Sequence, residues 1–138
     1  MASVSVSEVV ERPPADVFRF VATDHVQNHP RWDPDMSLEQ LTPGPIGVGT
    51  VLRRSHMQGG QRVEGEMEIV EFDPDRAMAA VIRDGPVEMR SRMTVEPAGE
   101  QHALLTILVE ADVPAERMNE GPIRASLERM KQLIEADG

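Results

Sequence analysis

The chain reads as an α+β protein: a curved antiparallel sheet of about seven strands wrapped on a long C-terminal helix, with one or two short helices after the first strand. Three observations predict this. Alternating apolar and polar stretches recur along the chain, separated by short turns rich in Gly, Pro and Asp. A double proline, Pro13-Pro14, hands the first stretch to an amphipathic helix. Near the C-terminus, Ile123, Leu127, Met130 and Ile134 recur at spacings of four, three and four, which is one helical stripe. Strands joined by short turns pair antiparallel. A strongly curved sheet of this kind cannot bury its concave face against itself, so the last helix must cover it, and a gap between the two makes a cavity.

Each element has its own signal. Val4 and Val6 alternate with Ser3, Ser5 and Ser7, the period of a half-buried strand. Pro14 suits a first helical position, and Asp16 lies in the first turn, where the helix dipole favours an acid. Val17, Phe20 and Val21 share a face of that helix. The polar run Asp24 to Pro30 is read as a second short helix, and Trp32-Asp33-Pro34-Asp35 as its exit. Pro43-Gly44-Pro45 and Gly47-Val48-Gly49 are loop. Thr50 to Met57 is a strand, Gly59-Gly60 a hairpin turn, and Val63 to Phe72 the return strand. Gly65, Met67 and Ile69 share one face of that strand and Glu64, Glu66 and Glu68 the other; Val70 and Phe72 fall out of phase, which predicts a bulge. Ala77 to Arg83 is a strand. Val87 to Val95 follows with Val87, Met89, Ser91, Met93 and Val95 on one face, and His102 to Val113 is the last strand. Pro122 suits the first turn of the closing helix, with Ala115 to Glu120 as a helical lead-in.

Composition bounds the function. Residues 1–138 fit one domain, long enough to bury a core without a staple. There is no cysteine, so disulfides, thiolate metal sites and cysteine nucleophiles are excluded. The net charge of −10 repels phosphate backbones and anionic lipid surfaces, which argues against nucleic-acid binding and leaves solubility as its plain meaning. No apolar run is long enough for membrane insertion, the N-terminus lacks the marks of a signal peptide, and a cytoplasmic location is expected. Aromatic residues make up 3% against nine methionines, so a core or cavity lined by thioethers is expected.

The segment Val4 to Trp32, VSVSEVVERPPADVFRFVATDHVQNHPRW, resembles the opening of the START-like superfamily, in particular its polyketide cyclase/dehydrase-like members. The Pro-Pro-Ala-Asp-Val-Phe helix start, Arg31-Trp32-Asp33-Pro34 and the Gly49-Thr50 strand start carry the likeness, and the element order matches over essentially the whole chain. The resemblance implies a helix-grip fold with a pocket between sheet and C-terminal helix. It implies binding or carriage of a small apolar molecule (a lipid, polyketide or aromatic), without a cofactor and with a homodimer left open. The alternative it implies is an enzyme acting on such a molecule: a cyclase, dehydratase or hydrolase-like member. Cyclase-like relatives use pocket arginine, tyrosine, histidine or tryptophan to steer carbonyl condensation. Here there is no tyrosine, and no arginine reads as inward-facing. A third class, a protein-interaction module, needs a large exposed apolar patch that the sequence does not display.

Candidate residues follow from these faces. The pocket lining is expected from Trp32, Met67, Ile69, Met89, Ser91, Met93, Met118, Leu127 and Met130. Such a methionine stripe is otherwise core, and Ser91 serves equally as ligand anchor or as core filler bonded to a carbonyl. His56, beside Arg53, Arg54 and Ser55, is the acid–base candidate if it points inward; an exposed strand-end histidine is the plainer expectation. Glu110 and Asp112 near the end of the last strand stand behind it. His25 and His29, four apart, fall on one helical face without a third ligand, so no metal site is expected and both read as solvated surface histidines. No serine elbow, dinucleotide fingerprint or phosphate loop is present.

Overall fold

The computed structural model describes residues 2–137, the side chains of Gln58 and Arg117 left aside. In chain order the elements are β1 (Ala2–Val10), α1 (Pro14–Phe18), a π-helical turn (Arg19–Thr23), α2 (His25–Trp32), β2 (Ser37–Gln40), β3 (Val51–Gln58), β4 (Gln61–Asp73), β5 (Ala77–Asp84), β6 (Val87–Pro97), β7 (Ala103–Ala111), a 3₁₀ turn (Ala115–Arg117) and α3 (Glu120–Asp137). The strands form one antiparallel sheet in the order β1-β7-β6-β5-β4-β3-β2. Only β1 leaves sequence order, pairing with β7, and α3 packs chiefly on β1.

Local chemistry explains the joints. Gly59 and Gly60 both adopt positive φ between the paired ends Gln58 and Gln61, the conformation of a two-residue hairpin turn. The β4 register slips between Ile69 and Glu71, and the bulge returns Phe72 to the inner face, opposite Met78. There Phe72 meets the ring of Phe18 edge-on at 5.3 Å. The π turn closes with Asp24 N–H donating to the Arg19 carbonyl, five residues back, at 2.8 Å. Two side chains of α2 serve carbonyls of this turn. Asn28 Nδ2 donates to the Phe20 carbonyl at 3.0 Å, and His25 Nδ1 to the Val21 carbonyl at 2.8 Å.

Register orders the inner face into rows across the sheet. One row holds Phe72, Met78, Met93, Ile107 and Val6; the next Ile69, Ala80, Ser91, Val109 and Val4. A third holds Leu52, Met67, Ile82, Met89 and Ala111, and the last Leu38, Arg54, Gly65, Asp84 and Val87. The first row is sealed, with Met78, Met93, Ile107 and Val6 all buried. Moving along the rows, Ser91, Val109, Val4 and Met89 are half-buried and Val87 is 41% exposed. The concave face is therefore closed at one end and loosely covered at one corner of the other. The C-terminal half of α3 is anchored: Glu11 N–H and Lys131 Nζ both donate to Glu135 Oε2, and Lys131 Nζ also to the Val9 carbonyl. Its first turns are largely exposed, with Ile123 half-buried against the core.

Candidate functional site

The sequence-derived pocket residues divide by burial. Met67, Ile69, Met93, Leu127 and Met130 belong to one buried apolar core that joins sheet to α3. Met89 packs against its edge, and Ser91 lies half-buried beside it. Met118 is half-buried in the segment leading into α3. Trp32 is only 2% exposed, enclosed by Phe20, His25 and His29 at ring distances of 5.8, 5.6 and 5.0 Å.

At the polar end of the concave face the sequence offered His56 as a candidate but neither Arg54 nor Asp84. Arg54, on β3, points inward and is buried, which corrects the expectation of no inward arginine. Its Nε stands 3.2 Å from Asp84 Oδ1 but off the hydrogen-bonding direction; both atoms are buried without a hydrogen-bond partner among the described residues. Such groups are costly unless something completes them. Burial lowers the Arg54 pKa from its ordinary value, against the attraction of Asp84 and Asp33. Asp84 reaches this position across β4 at Gly65, where any Cβ would collide with Asp84 Oδ1 and the Arg83 carbonyl.

His56 also faces inward, not outward as a strand-end residue: its Nε2 lies 3.1 Å from Asp84 Oδ2, with 16% of the side chain exposed. A carboxylate holding one imidazole nitrogen fixes ring orientation, the arrangement that acid–base chemistry uses. Glu110 takes the opposite face of β7 by register; with Asp112 it lines a cleft of about 250 Å³ beside the β5–β6 turn. A second cleft, of about 310 Å³, lies between the short helices and the end of α3, lined by Arg12, Asp16, Arg19, Asp24 and Asp137 among others.

The paired histidines are not solvated. His25 is 1% exposed, and its Nε2 lies 3.0 Å from Nδ1 of His29. His29 stacks on Trp32 at an interplanar angle of 20°. Burial pushes the His25 pKa down to about 4, over the opposing pull of the Val21 carbonyl. Burial, then the neighbouring His25, Arg54 and His56, pushes His29 down to about 2. Both rings are neutral at neutral pH. His29 Nε2 stands 3.8 Å from Asp33 Oδ2, and being uncharged it makes no ion pair there. Among the described residues no three His, Asp or Glu side chains converge as a metal site, and no helix is long and apolar enough to cross a membrane. The i, i+4 spacing of the histidines was visible in the sequence; the π turn that buries them was not.

A seven-stranded curved sheet gripping a terminal helix, with an apolar concave face ending in buried Arg54 and Asp84 and half-buried His56, defines a helix-grip protein of the START-like superfamily. A family model described as polyketide cyclase/dehydrase and lipid transport matches residues 1–135, and the chain belongs to that family. Among curated proteins none matches it in sequence. Solved structures share the fold at low identity. Ara h 8.0201 is 16% identical, with 97% of each chain covered and a TM-score of 0.77. Norcoclaurine synthase from Thalictrum flavum, in complex with dopamine and hydroxybenzaldehyde, is 16% identical over 99% of this chain and 87% of that one, with a TM-score of 0.76. The di-domain ARO/CYC BexL from the BE-7585A biosynthetic pathway is 23% identical over 98% of this chain and 47% of its own, with a TM-score of 0.77.

Proposed function

We propose that the protein binds a small, largely apolar molecule between the sheet and α3, with an oxygen of that molecule directed at Arg54. The gradient of the concave face carries this reading. A sealed apolar core gives way to half-buried Met89, Ser91 and Val109 on β6 and β7, and the same face carries on β3 a buried arginine whose Nε lacks a hydrogen-bond partner among the described residues. Ligand sites are mostly apolar with a few convergent polar groups, and an acceptor oxygen would complete the guanidinium. The family's description, and a structural neighbour holding two small aromatics, are consistent with it.

The test uses 8-anilino-1-naphthalenesulfonate, an aromatic probe with an anionic oxygen group. Wild type should bind it saturably at one site. Ser91→Trp should block binding while moving the melting temperature little, because the indole enters a loosely filled corner. If that face is solidly packed, overpacking by about 1–3 kcal/mol lowers the melting temperature by several degrees. Loss of stability with binding retained in the folded fraction overturns the reading.

Turnover is the second reading, favoured by the Asp84–His56 pair. His56→Gln should then abolish it while leaving probe binding intact, at a cost on the order of 100- to 10,000-fold in rate. Unchanged turnover in that variant removes His56 from any mechanism.

A further inference from the structure

His29 is not used by the reading above, yet its hydrogen bonding is fully determined. The Val21 carbonyl only accepts, so neutral His25 must carry its proton on Nδ1. Its Nε2 is then a bare lone pair, which His29 Nδ1–H must donate to. A neutral His29 is left with a bare lone pair on Nε2. Each step follows from the one before, starting at a backbone carbonyl that cannot change role.

The geometry points to His29 Nε2 as a fixed acceptor for a neutral hydroxyl group, such as a phenol or enol, on the bound molecule. This rests on the proposed binding at the concave face and adds a second polar contact to it. The surroundings select the ligand group. Asp33 Oδ2, 3.8 Å from Nε2, disfavours a carboxylate or phosphate there. Arg54 lies close enough to depress the His29 pKa, and so disfavours an ammonium. His56 and His25 are the other titratable groups acting on the ring. A neutral O–H donor escapes both repulsions. One face of the ring is closed by Trp32 and its Nδ1 edge by His25. The side chain keeps 12% of its surface exposed, and Nε2 has no hydrogen-bond partner among the described residues. Asp33 itself keeps 36% of its side chain exposed, so this edge is at the rim of the fold.

Two measurements test it. Long-range ¹H–¹⁵N NMR at neutral pH should find both His25 and His29 protonated on Nδ1, the minority tautomer of a free neutral histidine side chain. A proton on His29 Nε2 overturns the proposal without any ligand. The second compares 2-naphthol with 2-methoxynaphthalene, which share a ring system but differ in the donor. Wild type should prefer the naphthol by about tenfold or more, the usual penalty for an acceptor left unpaired, and naphthol alone should move the His29 Nε2 resonance upfield. In His29→Phe, which keeps a flat ring against Trp32, the preference should fall to parity. Should that variant fold poorly, the wild-type resonance shift still decides. Equal binding of the two probes to wild type overturns the hydroxyl acceptor and leaves apolar binding standing. Failure of both to bind overturns apolar binding too.

Discussion

Asp84 faces Arg54 and His56 on the inner face, and its replacement tests what its charge does for the buried arginine. Asp84→Asn leaves Arg54 charged, buried and unpaired, which should destabilise the fold by about 3–5 kcal/mol. Replacing both partners with apolar residues, Arg54→Met with Asp84→Leu, should recover most of that loss, because the desolvation cost of both charges disappears. Urea unfolding of the two variants checks it; equal destabilisation would show that Asp84 acts through packing and not charge. The histidines give a pH signature. His25 has an ordinary value of 6.5 in the unfolded chain and about 4 in the fold. As pH falls from 6.5 the unfolded chain takes up a proton that the folded one refuses. The stability this residue contributes is complete above about 6.5 and falls away towards 4, by roughly 3 kcal/mol. Unfolding free energies between pH 7 and 4.5 should therefore drop with acid, and His29→Phe should remove about one proton from the slope. A flat profile would return both rings to solvent. These residues escaped the sequence reading for one reason. A buried Arg or His is spelled like an exposed one, and the adjacent pair Arg53-Arg54 breaks the alternation that would have marked which of them turns inward. The faces of Met67, Ile69 and Met93 were legible because their neighbours alternate.

At the scale of elements, β4 is fitted to the site at a single residue. Gly65 faces inward directly beneath Asp84, and neither the carboxylate nor the Arg83 carbonyl has room for a methyl group. Gly65→Ala should push Asp84 off the inner face, weaken its contacts with Arg54 and His56 and cost about 1–3 kcal/mol as overpacking. The same variant should lose affinity for the anionic probe. Retained stability and binding would mean that the strand relaxes freely here. Strand β4 itself was readable, with its bulge, because thirteen residues give the period time to repeat and then to slip. Strand β2 was not: at four residues, Ser37 to Gln40 carries too short an alternation to stand out from the loops around it. The closing helix was readable because its stripe spans several turns. The π turn was not, since it places Phe20, Val21 and Ala22 inside in succession, a pattern with neither the helical nor the strand period.

At the scale of the whole molecule, charge and site oppose each other. The net charge is −10, while the proposed anchor is a cation. Arg54, however, lies inside, flanked by Asp84 and influenced by Asp33, so it projects little positive field beyond the rim. An approaching anion meets the acidic surface first and the guanidinium only after entry. Screening acts on the first encounter and barely on the second, because the Debye length shrinks from about 30 Å at 0.01 M salt to about 10 Å at 0.1 M, whereas buried pairs are screened much less. Stopped-flow association of 8-anilino-1-naphthalenesulfonate should therefore accelerate as salt is raised over that range. The rate for neutral 2-naphthol should stay constant, and the dissociation rate of either should change little. If instead salt slows the anionic probe, the rim carries a local positive field, and the arginine meets the ligand before entry and not after it.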